Sequence, residues 1–196
     1  MSNELNGKRV AILVADGFEQ VEMTGPREAL EQAGAKTDLI SPARGRVQGW
    51  KHFDKADEFK VDVELEAADP GRYDALLLPG GVANPDQLRT IPKAVEFVKN
   101  FFREHKPVAA ICHGPWLLAE ADVLKGRTVT SWPSIRTDLR NAGAHVVDRE
   151  VVTDECLITS RKPDDIPAFN RKMIEEFRNA AKKAPHQEEV ERAMRL

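Results

Sequence analysis

Cysteine is scarce in this 196-residue chain: Cys112 and Cys156 are the only two. Two thiols in unrelated local settings do not make a disulfide framework, so a fold held by cross-links is excluded as a reading. The five histidines (His52, His105, His113, His145 and His186) are scattered without metal-ligand spacing, and no metal is expected. No apolar run approaches the roughly 18 residues of a membrane span. The polar start, Met1 to Arg9, lacks the apolar centre of a signal peptide, so the expected location is the cytoplasm. An excess of one charge is missing too. The 29 Lys and Arg nearly balance the 32 Asp and Glu, giving a net charge of -3 with no basic stripe, and no nucleic-acid partner is expected. Finally, no glycine-rich phosphate loop follows the first apolar run, which leads instead into Asp16-Gly17-Phe18-Glu19. A nucleotide cofactor is therefore not expected, and the cofactor expectation as a whole is none.

What is present is the make-up of a packed globule, 41% hydrophobic and 31% charged. The length suits one domain over residues 1–196. Arg9 to Val14 reads as a strand buried on both faces. Glu22 to Ala33 has helical spacing, with Pro26 expected near its first turn and Gly34 closing it. Lys36 to Ile40 reads as a second strand. Residues 42–60 break the rhythm and predict an insertion with a small hairpin. Asp74 to Leu78 is a core strand ending in Pro79-Gly80-Gly81. Ile91 to His105 is an amphipathic helix with Val95, Val98, Phe101 and Phe102 on one side. Val108 to Ile111 is a further core strand. Arg127 to Ser131, Ser134 to Asn141 and His145 to Val152 predict strand, helix, strand, and Cys156 to Ser160 pairs back. The last helix is expected from Asp164-Asp165 to about Lys183, followed by a charged tail over 184–196. Strands alternating with helices imply an α/β fold with a mostly parallel sheet covered on both faces.

In such sheets the site lies beyond the carboxyl ends of the strands. Three segments converge there: Asp16-Gly17-Phe18-Glu19, Gly80-Gly81, and Cys112-His113-Gly114-Pro115. The last is an abrupt turn from strand to helix with a thiol on it. A helix N-terminus favours the thiolate, so Cys112 is expected to have a lowered pKa and Cys156 an ordinary one. The alternative for Cys112 is a buried structural thiol.

Longer stretches carry a resemblance. ADGFEQVEMTGP, LLLPGG, AAICHGPWLLAEADVLKGRTVTS and NAGAHVVDREVVTDECLITSRKPDDIPAFNRKMIEEF look like the ThiJ/PfpI family. The likeness is nearest to its PfpI branch of intracellular proteases and general-stress deglycases, in the superfamily of Parkinsonism-associated deglycase. It implies a flavodoxin-like sandwich of the class I glutamine amidotransferase-like kind, a nucleophilic Cys112 on a strained elbow, no metal, and an obligate homo-oligomer. Glu19 resembles the carboxylate that hydrogen-bonds the cysteine, useful there if protonated. His113 would move protons. Gly80 and Gly81, with the His113 amide, would face an oxyanion. Asp86 stands where that branch places an acid that reaches His113 from the neighbouring chain, although Asp in place of Glu shortens the reach. The expected activity is cysteine-dependent hydrolysis of small reactive carbonyl adducts, deglycase- or glyoxalase-like. The alternatives are an intracellular cysteine peptidase acting on peptides, and a non-catalytic oxidative-stress sensor working through Cys112.

Overall fold

The computed structural model describes residues 3–183, so the expected charged tail lies outside the described residues. In chain order the elements are β1 (Arg9–Leu13), β2 (Phe18–Glu19), α1 (Gln20–Gln32), β3 (Lys36–Ser41), β4 (Arg46–Lys51), β5 (Asp54–Lys60), β6 (Val63–Glu64) and β7 (Ala75–Leu78). There follow α2 (Ala83–Leu88), α3 (Pro92–Arg103), β8 (Val108–Ile111), α4 (Pro115–Glu120), β9 (Thr128–Val129), α5 (Arg136–Asn141), β10 (His145–Val146), β11 (Val151–Asp154), β12 (Leu157–Ser160) and α6 (Ile166–Lys183).

A seven-stranded sheet in the order β11-β12-β8-β7-β1-β3-β6 forms the frame. All of its pairings are parallel except β11 with β12, an antiparallel hairpin at one edge. The central strands are short and apolar because both faces are covered. Along β1, Val10 and Ile12 enter one core with Leu77, Ile111, Phe169 and Met173. Ala11 and Leu13 enter the opposite core with Leu76, Leu78, Phe97 and Phe101. Each fully buried phenylalanine contributes about 2 kcal/mol of apolar transfer to this sandwich. No helix among the described residues is long and apolar enough to cross a membrane.

Three local expectations change. Helix α1 begins at Gln20, so Pro26 lies inside it and not in its first turn. The cause is that Phe18–Glu19 pairs with Gly49–Trp50 of the expected hairpin, β4–β5, and the chain turns into the helix directly from that pairing. The strand expected over His145–Val152 is two strands in different sheets, β10 beside β9 and β11 beside β12. The break falls where Asp148 turns aside to bond Arg136 and Arg161. Asp165, in the pair from which the last helix was expected to start, is instead paired with Arg161 in a short 3-10 turn that leads into α6.

Candidate active site

Strand β8 ends at Ile111, and the next residue is the bend. Cys112 has φ +62°. A residue with a Cβ in that region costs on the order of 1–3 kcal/mol, so the surroundings must hold it there. They do so from two sides. The Cys112 N–H donates to the Ser160 carbonyl at 3.1 Å, and its own carbonyl accepts from the Trp132 N–H at 3.0 Å. Gly114 lets the chain cross over neighbouring backbone: a Cβ there would lie 2.6 Å from the Leu78 carbonyl oxygen. The thiol that results is 6% exposed.

The carboxyl group at this thiol is Glu22, not Glu19. Glu22 is fully buried, and its Oε2 accepts the Gly80 N–H at 2.9 Å. Its Oε1 is buried with no hydrogen-bond partner among the described residues. Burial pushes its pKa up to about 8, the Cys112 thiol and the Gly80 amide pull down against that, and the charge of nearby Glu19 adds to the rise. Glu19 itself turns to the hairpin, where its Oε2 accepts the His52 N–H at 3.0 Å. The spacing explains the exchange. Helical side chains lean toward the N-terminus, so Glu22, in the first turn of α1, points back to the sheet rim. Glu19 belongs to β2 and is committed to the hairpin. The signal for Glu22 was available: it lies with Pro26 and Leu30 on the buried stripe of α1, an acid where an apolar residue belongs.

The thiol pKa moves opposite to expectation. Burial raises it first, and the charge and hydrogen bond of Glu22 raise it further; the amides of Gly81 and His113 oppose this and are outweighed. Helix α4 has only six residues, so its terminus is a weak source of positive potential. Cys112 and Glu22 are therefore one titrating unit. Two anions cannot share this dry site, and the first proton lost belongs to the pair.

His113 lies next to Cys112, and the sharp elbow brings the two side chains together: Nδ1 is 3.2 Å from Sγ. Its other ring nitrogen, Nε2, is 3.2 Å from the Ser134 hydroxyl. Burial lowers its pKa to about 4, so the ring is neutral at pH 7. Trp132 stacks on it at 5.8 Å between centroids, and Trp116 tilts against it at 6.1 Å. Ser134 escaped the sequence because a lone hydroxyl in a loop has no spacing signature.

The glycine turn has split duties. The Gly80 amide is taken by Glu22, so it is not an oxyanion donor, while the Gly81 and His113 amides point at the sulfur. A Cβ on Gly80 would sit 2.6 Å from Glu22 Oε2 and 2.7 Å from the Cys112 Cβ, which explains glycine there. Asp86 is exposed in the first turn of α2 and forms no hydrogen bond or ion pair among the described residues. Within one chain, His113 therefore meets a hydroxyl and not a carboxylate. Cys156 lies in the β11–β12 turn, away from this group. In the hairpin, Trp50 is half-buried in β4, His52 meets Glu19, and Phe53 is 88% exposed at the turn. No group of three His, Cys, Asp or Glu among the described residues is placed to hold a metal ion. A wide groove lined by Arg149, Val151, Thr153, Arg171 and Lys172 is not lined by Cys112, Glu22 or His113.

Comparison with known proteins places this geometry. An uncharacterized protein of Staphylococcus epidermidis, SERP1413, is 46% identical over 172 residues, covering 87% of this chain and 98% of that one. An uncharacterized Staphylococcus aureus protein, SAV1875, matches to the same extent. Among solved structures, a two-domain Anabaena variabilis protein with DJ-1/ThiJ/PfpI-like and ferritin-like domains superposes with a TM-score of 0.81 at 35% identity; the match covers 86% of this chain and 47% of that one. Drosophila melanogaster DJ-1beta gives 0.79 at 26% identity, covering 93% and 97%. The DJ-1/PfpI family model matches residues 8–176, nearly all of the described fold and every residue of the elbow, and the chain belongs to that family.

Proposed function

We propose that the protein is a cysteine-dependent hydrolase of small reactive carbonyl adducts, deglycase- or glyoxalase-like. The observation that carries this reading is one thiol held between a carboxyl that keeps its proton to about pH 8 and a neutral imidazole, on a strained elbow. A group that is an acid below pH 8 and a base above it suits proton transfer near neutrality.

With a ketoaldehyde, the sulfur adds to the aldehyde carbon, the C–S bond forms, and the carbonyl oxygen takes up a proton. His113 Nδ1 is placed to receive the thiol proton. Glu22 would carry a proton from the former aldehyde carbon to its neighbour while the hydroxyl proton passes to the neighbour's oxygen, so that the first carbon is oxidised to a thioester as the second is reduced to an alcohol. Water then breaks the C–S bond, releasing a 2-hydroxy acid and restoring the thiol. No external oxidant is required. With an adduct on an amine, the C–S bond would form at the carbinol carbon as the C–N bond breaks, and the amine would leave carrying the thiol's proton.

The burial of Cys112 supports a small electrophile over a folded or extended polypeptide. The test is a side-by-side assay of wild type and Cys112→Ala against methylglyoxal, a glycated peptide and casein. The reading requires turnover of one of the first two, lost in Cys112→Ala. Casein cleavage that depends on Cys112 would replace it with the peptidase reading. No turnover, with Cys112 oxidised selectively by peroxide, would replace it with the sensor reading.

A further inference from the structure

We infer that Ser134 is a positioning residue, which fixes the tautomer of His113 so that Nδ1 is free to take the Cys112 proton. This rests on the reading of Cys112 and His113 as the reacting pair. A neutral imidazole carries one N–H and one acceptor nitrogen, and which is which is set by the partners. Here each nitrogen has one partner at 3.2 Å, the thiol at Nδ1 and the hydroxyl at Nε2. The donors then run one way. The thiol donates to Nδ1, and Nε2–H donates to Ser134 Oγ. Ser134 is exposed, so its own hydroxyl is open to solvent. The hydroxyl is thus the solvent end of a buried line of hydrogen bonds.

Its placement is built and not incidental. The Trp132 N–H is tied to the Cys112 carbonyl, the indole stacks on the imidazole, and Pro133 starts the short turn that carries Ser134. A hydroxyl also does something a carboxylate would not. It orients the ring without stabilising its cation, in keeping with the burial that lowers the ring's pKa to about 4. The other charged groups near the ring are one contact removed: Glu22 against the sulfur, and Asp138 and Arg89 against the Trp116 indole.

The test uses the full-length protein labelled with 15N-histidine, in wild type, Ser134→Ala, Ser134→Thr, Ser134→Asp and Asp86→Ala. Ring 15N shifts report the tautomer, and mass spectrometry follows alkylation of Cys112 by iodoacetamide. The expected wild-type result is N–H on Nε2. Ser134→Ala should mix the tautomers and slow Cys112 alkylation at pH 7 by up to about tenfold, the worth of one hydrogen bond. Ser134→Thr should restore both. Ser134→Asp should move the ring titration up from about 4 toward the ordinary histidine value. Unchanged 15N shifts in Ser134→Ala would overturn the inference. So would an Asp86→Ala variant that reproduces the Ser134→Ala changes, since the orienting group would then be a partner's carboxylate. None of these readouts needs a substrate, so an inactive hydrolase assay and a failed tautomer test are separate results.

Discussion

The two thiols mark opposite ends of one strand. Cys112 follows the last residue of β8, and the Cys156 carbonyl accepts the N–H of Val108, the first. At the amino end, charges meet opposite charges near the surface: Lys8 with Asp74 at 3.3 Å, and Lys106 with Glu104 at 2.6 Å. At the carboxyl end, Glu22, Cys112 and His113 are buried with no counter-charge among the described residues, and burial is the first cause of each of their shifts. Paired surface charges add little to stability. Buried ionisable groups without a counter-ion cost stability, and this fold carries three of them at one rim. The contrast locates the chemistry more sharply than any motif does.

The comparison breaks most simply at the thiols. Cys112→Ala should lower turnover by more than about a thousandfold, as loss of a nucleophile does, whereas Cys156→Ala should keep it. Equal losses in a steady-state assay would put both ends of β8 in the chemistry.

Glycines give the next contrast. Gly80→Ala at the carboxyl end meets Glu22 Oε2, the Cys112 Cβ and the Ile111 carbonyl all within 2.8 Å. Gly71→Ala at the amino end meets the exposed Asp69 side chain at 3.1 Å. Denaturant unfolding should show about 3 kcal/mol lost for Gly80→Ala and far less for Gly71→Ala.

Glu22 sharpens the comparison through pH. Its folded-state pKa, about 8, lies above the ordinary 4.5. Its share of stability is therefore complete below about pH 4.5 and is lost as pH rises through 8. The melting temperature of Glu22→Gln relative to wild type should rise between pH 5 and pH 8.5. A constant difference would mean that Glu22 titrates normally.

Smaller effects are expected at the rim. Ser134 already serves His113, so Asp86→Ala alone should keep most activity. A large loss, recovered by mixing Asp86→Ala with Cys112→Ala after subunit exchange, would assign a partner carboxylate to His113. Glu19→Gln should act only through charge, bringing the titration of the Glu22–Cys112 pair to slightly lower pH.

The fold was largely legible because β1, β7 and β8 are apolar runs separated by helical periods, and the elbow was legible as a strand-to-helix turn because His113, Gly114 and Pro115 follow the thiol at a strand end, although a reactive and a structural cysteine read alike there. The carboxylate was placed one turn early. Sequence spacing shows that an acid follows β1, but the partner is decided by the β2–β4 pairing, which takes Glu19 for the hairpin and starts α1 soon enough to turn Glu22 inward. The thiol pKa was misread for a related reason. A helix N-terminus is visible in sequence, and the desolvation that outweighs it is not. Ser134 depends on a tryptophan stacking across a bend, which no period encodes.

The account turns on Glu22 and Cys112 sharing their first proton, and the pH profile of Cys112 alkylation tests it most directly. In wild type, the iodoacetamide rate at Cys112 should climb through about pH 8 and then level off, because the second proton is held by like-charge repulsion. In Glu22→Gln it should climb as a single thiol with no break near pH 8, with Cys156 in the same digest as the internal control. Superimposable Cys112 profiles in the two proteins would contradict the account.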